Sequence, residues 1–314
     1  MSGIAIFSGS AHPTLAAEVC AHLGVELSPT RVLRFSNDCI EVQVQANCRE
    51  NDVFLIQPIV PPTQENLVEL LLMADAARGA SAGRVTVVMP HYADARSDKK
   101  DAPRISIGGR LVADLLVTAG ANRVLTVTLH SPQVHGFFGV PVDHLHALHE
   151  LARHFDGADL SNSVVVSPDL GNAKSASAFA RILGVPVAAG AKERINDEKV
   201  VITSIIGEVE GRDVIVLDDE IARGSTVFEV LDRLKERGAR SSRVVCTHGL
   251  FASDALSRLQ AHPDVVEVVC TNTVPIAPEK MVPKLTVISV APALAEAIRR
   301  IHAGESVSAL FEQP

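Results

Sequence analysis

A chain of 314 residues is long enough for two domains, each with its own buried core. Apolar residues make up 47% of it and charged residues 21%, which excludes a disordered or fibrous chain. A net charge of −8, with one Tyr and no Trp, excludes nucleic acid as the main partner, yet leaves room for a small anion held in a locally positive pocket.

With only 4% aromatics, the cores must be built from Val, Ile, Leu and Ala, which suits strands buried on both faces. Short β-branched runs alternate with helical stretches, the pattern of an α/β fold with mostly parallel sheets flanked by helices. The runs are Ile4 to Phe7, Val53 to Ile56, Val85 to Met89, Val124 to Leu129, Val164 to Val166, Val214 to Leu217 and Val244 to Cys246. Between them the spacing predicts a helix over Thr63 to Arg78, capped at Thr63 and stopped at Gly79. A second helix is predicted over Thr226 to Arg237, with Val227, Val230, Leu231 and Leu234 on one face and a stop at Gly238.

Each run is followed by polar residues, among them Ser8-Gly9-Ser10, Pro90-His91-Tyr92, His130-Ser131, Ser167-Pro168-Asp169, Asp218-Asp219-Glu220 and Thr247-His248-Gly249. Open α/β sheets bind ligands beyond the carboxyl ends of their strands, so chemistry is expected there. A weak internal echo, Gly120 to His130 against Gly238 to His248, pairs a helix-ending Gly with a strand and a His, and suggests two domains of related build. The turn-like stretch Asp156-Gly157-Ala158-Asp159 places the boundary near residues 145 to 160.

Five cysteines, odd in number and without a CxxC pair, read as reduced, mostly buried thiols. The N-terminus lacks a basic region followed by an apolar stretch, and no run approaches the ~18 apolar residues of a membrane span. The expectation is a soluble cytoplasmic protein without a membrane or nucleic-acid partner.

The most specific segment is VIVLDDEIARGST, from Val214 to Thr226. An apolar strand delivers two adjacent carboxylates into a short loop, and Thr226 opens a helix. Free N–H groups at a helix start, with the helix dipole behind them, suit a phosphate, and carboxylates beside it suit sugar hydroxyls or hydrated Mg²⁺.

This segment resembles the ribose 5-phosphate motif of the phosphoribosyltransferase fold, and the rest of the chain resembles the ribose-phosphate pyrophosphokinase (phosphoribosyl pyrophosphate synthetase) family along essentially its whole length. The supporting blocks are RFSN at Arg34 to Asn37, Tyr92 to Lys100, LHSPQVHGFFGVPVD at Leu129 to Asp143, VVSPDLG at Val165 to Gly171, KER at Lys192 to Arg194, THG at Thr247 to Gly249 and AEAIRRIHAGESVSALF at Ala295 to Phe311. The resemblance implies two phosphoribosyltransferase-like domains: residues 1–148, joined by the C-terminal segment 295–314, and residues 149–294, which carry the ribose 5-phosphate loop. It implies Mg²⁺-dependent transfer of the diphosphoryl group of ATP to the C1 hydroxyl of ribose 5-phosphate.

Carried over residue by residue, the resemblance makes Lys192, Arg194 and His130 catalytic, with the two cations on a mobile polar lid between Gly190 and Asn196. Phe35, Asn37, Arg96 and Asp98 would bind ATP, with Phe35 and Asn37 reaching the adenine of a neighbouring subunit in a homo-oligomer. Asp218, Asp219, Arg223, Gly224, Ser225 and Thr226 would bind ribose 5-phosphate, His130 the metal at the nucleotide phosphates, and Asp169 the second Mg²⁺ beside the sugar. Arg49, Ser81, Asp143, Ser306 and Ser308 match positions that bind an ADP or phosphate effector in some members.

Several positions depart from the family pattern. Thr128 stands where many members have an Asp supporting the metal, and Asn37-Asp38-Cys39 replaces Asp-Gly-Glu. In the sugar-phosphate loop, Arg223 replaces a small hydroxyl residue and Ser225 replaces a Gly. These departures motivate an alternative reading, a non-catalytic homologue that binds nucleotide or sugar phosphate and associates with an active synthetase. The loop cations Lys192 and Arg194 favour the enzyme, because a structural subunit has no use for a phosphate clamp. A transferase acting on a base shares the sugar loop but needs one such domain rather than two.

Overall fold

The computed structural model describes residues 3–196 and 199–310, and of these the side chains at 192–196, 199–203 and 309 are left aside. Contacts divide the described residues into two units, one comprising 3–146, 273–275 and 290–310, the other 147–196, 199–272 and 276–289.

The first unit begins with β1 (Ile4–Ser8), α1 (Pro13–Leu23), β2 (Thr30–Arg34), β3 (Ile40–Val44), β4 (Asp52–Ile56) and α2 (Thr63–Gly79). It continues with β5 (Arg84–Met89), α3 (Gly108–Ala119), β6 (Arg123–Val127) and β7 (Val142–Leu145). Strands β1, β4, β5, β6 and β7 lie side by side in that order, all parallel. Strands β2 and β3 form a separate antiparallel hairpin. All five residues of β4 are buried, as expected of a strand covered on both faces. Phe7, Val53, Leu55, Leu70, Met73, Leu116 and Val124 belong to one continuous cluster.

The second unit contains α4 (Leu148–Arg153), β8 (Ser163–Ser167), α5 (Ala173–Leu183), β9 (Val187–Asn196), β10 (Lys199–Ile206), β11 (Asp213–Ile221) and α6 (Ser225–Glu236). These are followed by β12 (Ser241–Gly249), α7 (Ala255–Ala261), β13 (Val265–Thr271) and β14 (Leu285–Ile288), and then by α8 (Ala291–Ala303), which rejoins the first unit and packs on α1. The strand order is β10-β9-β8-β11-β12-β13-β14, parallel except for the antiparallel β9–β10 pair. Val164, Val166, Val214, Val216 and Val244 enter one core cluster, while Val165, Ile215, Leu217 and Val245 enter another. That alternation is the two-sided burial that the aliphatic composition anticipated.

Some boundaries differ from the expected ones. Helix α2 starts at Thr63, but Pro62 occupies the N-cap and no side chain caps it. Helix α6 runs one residue earlier than predicted, from Ser225. Strand β6 stops at Val127 rather than Leu129, because Thr128 adopts φ 41° and turns the chain after its own N–H has made the last ladder bond. Strand β11 does not end at Leu217. It continues to Ile221 because β12 stays in register with it, Asp218 opposite Cys246 and Glu220 opposite His248. The internal echo is therefore partial: His248 is buried inside β12, whereas His130 is exposed beyond the end of β6.

Candidate active site

In the second unit the acids sit within β11, and the chain turns immediately after them. Phe251 N–H donates to the Ile221 carbonyl at 3.0 Å and Ala252 N–H to that of Ala222 at 2.9 Å, which holds the exit of the strand. Gly224 then takes φ 73°, and a Cβ there would stand 3.1 Å from Cε2 of Phe228, so this position favours glycine. Helix α6 follows without a side-chain cap, which leaves its first N–H groups directed at any anion placed before Ser225. Arg223 and Ser225 are exposed and Thr226 is half-buried, all next to that helix start.

Asp169 comes from the turn after β8, where Ser167 Oγ donates to its carbonyl at 2.6 Å and its Oδ1 accepts the Asn172 N–H at 3.1 Å. Asn172 Nδ2 donates in turn to the Leu217 carbonyl at 3.0 Å, which ties this turn to β11 just before Asp218. Asn172 was not singled out in the sequence, since an Asn at a helix start reads as an ordinary cap residue. Asp218 Oδ1 accepts the N–H of Asp219 at 3.0 Å. Burial, together with the nearby charges of Asp219 and Asp169, raises the Asp218 carboxyl well above the ordinary aspartate range.

Lys192 and Arg194 lie on β9, opposite Ile202 and Val200 of β10. The stretch read as a polar lid thus has strand backbone, because the β-branched run that follows supplies a pairing partner. The side chains of both cations fall outside the described residues.

In the first unit Phe35 stands at the turn of the β2–β3 hairpin, 45% exposed, where its N–H bonds the Cys39 carbonyl at 2.8 Å. The exposed Asn37 accepts the Cys39 N–H at 3.2 Å, and Arg34 anchors the hairpin through ion pairs to Asp38 and to Glu65 of α2. Arg96 is exposed at the end of a short 3-10 turn. Asp98 accepts Nε2 of Gln133 at 2.6 Å, and Gln133 lies in the turn that follows His130. The structure therefore joins the Arg96–Asp98 segment to the His130 segment through Gln133, a residue not singled out from the sequence.

Family models match both ends of the chain: the N-terminal domain of ribose phosphate pyrophosphokinase over residues 4–120, and the phosphoribosyl synthetase-associated domain over residues 192–312. A Streptomyces coelicolor protein is 73% identical over 312 residues, covering 99% of this chain and 98% of its own length. The ribose-phosphate pyrophosphokinase of Deinococcus radiodurans is 48% identical over 315 residues, again 99% of this chain and 98% of that protein. The chain belongs to the ribose-phosphate pyrophosphokinase family. The crystal structure of phosphoribosylpyrophosphate synthetase from Mycobacterium smegmatis superposes with a TM-score of 0.90 at 38% identity, covering 96% of this chain and 100% of that one. The fold class, two α/β units with mostly parallel sheets flanked by helices, is the one expected from the sequence.

A family of this kind implies a divalent metal. The acids Asp169, Asp218 and Asp219 fit one, since burial and the nearby charges of Asp219 and Asp169 push the Asp218 carboxyl up, and a hard dication would offset that crowding of negative charge. Among the described residues no group of three or more His, Cys, Asp or Glu is placed to hold a metal by itself. Mg²⁺ ordinarily takes one or two carboxylates and fills its shell with water and substrate phosphate. His130, an imidazole next to the uncharged Thr128, is a poorer donor for Mg²⁺ than these carboxylates.

Of the effector positions, Arg49 and Ser81 are neighbours, because Arg49 bridges to Ala82 and the Glu50 N–H bonds the Ser81 carbonyl at 2.9 Å. Asp143 is buried and ion-paired with Arg123. Ser306 and Ser308 follow α8, where the Ser306 carbonyl accepts Arg300 at 2.9 Å and Ser306 Oγ accepts the Ser308 N–H at 3.2 Å. Among the described residues, no helix is long and apolar enough to cross a membrane.

Proposed function

We propose that the chain transfers the diphosphoryl group of ATP to the C1 hydroxyl of D-ribose 5-phosphate, giving 5-phosphoribosyl 1-pyrophosphate and AMP, with Mg²⁺ as cofactor. The observation that carries this reading is the β11–α6 junction, where two strand-borne acids lead through Gly224 into an uncapped helix start. That junction suits a sugar whose phosphate lies on the helix N–H groups and whose hydroxyls meet Asp218 and Asp219. Arg223 adds a planar fork to the 5-phosphate, and Ser225 and Thr226 add hydroxyl donors.

Such a reaction asks for alignment and charge neutralisation rather than covalent catalysis. Lys192 and Arg194 clamp the phosphate oxygens as negative charge spreads over them, while Phe35, Asn37, Arg96 and Asp98 hold the nucleotide. Asp169 is the proposed acid of one Mg²⁺ site beside the sugar, and His130 belongs to a separate metal site at the nucleotide phosphates; the metal, when bound, supplies positive charge to the phosphates. The same reading makes the protein a cytoplasmic homo-oligomer in which the Phe35 hairpin reaches the nucleotide of a neighbouring subunit, with ADP or phosphate as effector through Arg49, Ser81, Asp143, Ser306 and Ser308.

The test is incubation of the purified protein with ATP, Mg²⁺ and ribose 5-phosphate, with AMP as the readout. AMP formed in step with loss of ribose 5-phosphate is expected. Background AMP with both ligands still bound would replace this reading with the non-catalytic one.

A further inference from the structure

The backbone leaves β6 in a way that involves His144. Thr128 still donates to the Leu145 carbonyl at 2.8 Å, as the parallel ladder requires. Its φ of 41°, costly for a β-branched residue, then turns the chain off the sheet. The next N–H, that of the buried Leu129, finds no strand neighbour in line and donates to Nε2 of His144 at 2.8 Å. His144 lies on β7 opposite Thr126, and the ring of His146 stands 4.4 Å from its own, centroid to centroid. Because Nε2 accepts, the ring is neutral with its proton on Nδ1.

We propose that His144 is a positioning residue for His130. The imidazole takes the one backbone N–H between the strained Thr128 and His130, so it fixes the direction in which the chain presents His130 to the substrate phosphates. A strained exit is kept only where its surroundings over-determine it, and the His144 acceptor, backed by the His146 ring, supplies that constraint. The inference rests on the proposed catalytic role of His130.

The test compares His144→Leu, which removes the acceptor, with His144→Gln, whose amide oxygen can occupy the place of Nε2, and with His130→Ala. The Leu variant is expected to lose about 10- to 100-fold in kcat, the range seen when an orienting hydrogen bond is removed. Its KM for ribose 5-phosphate should stay within about twofold, and the Gln variant should recover most of the loss. A folded Leu variant with undiminished kcat beside an impaired His130→Ala, or equal losses in the Leu and Gln variants, would overturn the proposal alone. Full activity in His130→Ala would remove the catalytic role of His130, and the proposal with it. Should His144→Leu not fold, long-range ¹H–¹⁵N correlation spectra of the unmodified protein decide: an Nδ1–H tautomer at His144 supports the proposal, and an Nε2–H tautomer overturns it.

Discussion

His302 and Asp52 are 250 positions apart in the chain, and Nδ1 of His302 stands 3.0 Å from Oδ2 of Asp52. Asp52 opens β4 with its side chain only 5% exposed, and it also receives Nε of Arg84 at 2.8 Å and the second fork nitrogen of the same Arg. That nitrogen of Arg84 reaches on to the Ile301 carbonyl of α8 at 2.9 Å. One buried carboxylate thereby fastens the C-terminal helix to two strands of the first unit. Asp52→Ala should leave Arg84 without its partner and α8 without its anchor, at about 2–4 kcal/mol. Urea or thermal unfolding would measure this, and a loss below ~0.5 kcal/mol would show that the clamp adds little.

Gly224 turns the chain between β11 and α6, and its φ of 73° penalises any residue with a Cβ. Gly224→Ala is expected to cost about 1–2 kcal/mol in stability and to raise KM for ribose 5-phosphate, as the Phe228 ring is displaced. Gly224→Asn should be milder in stability than Gly224→Val, because Asn tolerates the left-handed region. Equal melting temperatures for the Asn and Val variants would show that space, not φ, sets the requirement.

Arg223 is the exposed cation next to that turn and departs from the small hydroxyl residue usual there. If it meets the 5-phosphate, Arg223→Ala should raise KM for ribose 5-phosphate about tenfold with kcat within about twofold, equivalent to the ~1.4 kcal/mol of one charge-assisted contact. Raising the salt concentration should narrow the difference. An unchanged KM would place this side chain outside the sugar-phosphate contact.

The acidic loop and the mostly parallel sheets were legible because both are local patterns: a β-branched run, two carboxylates, and a Gly before a helix. Boundaries were legible only as far as apolar runs mark them. Asp218 and Asp219 read as the end of a strand, yet β11 continues through them, since its length is set by the register with β12 rather than by its own hydrophobicity. Thr128 gave no sign of its positive φ, as a β-branched residue in an apolar run predicts continued strand. The Asp52–His302 and Asp98–Gln133 pairs were invisible for another reason: each joins residues remote in sequence, which composition and spacing do not connect.

Glu296 on α8 gives a pH dependence of definite sign. Its two oxygens accept from Arg299 and Arg300 at 2.6 to 3.0 Å, and these bonds lower its carboxyl from the usual 4.5 to about 2. A carboxylate lowered in the folded state stabilises above its unfolded value, and the contribution is lost as pH falls towards the folded one. Glu296→Gln should therefore be less stable than the parent at pH 7, by under about 1 kcal/mol given the exposure of the group. The gap should hold down to about pH 5 and close between about 4.5 and 2. Asp213, lowered mainly by its bond to Arg240, loses its contribution as pH falls as well, so the readout is the difference between parent and variant at each pH, not the acid transition of either alone. A gap that stays constant down to pH 3 would show that the pair with Arg299 and Arg300 does not act through the charge of Glu296.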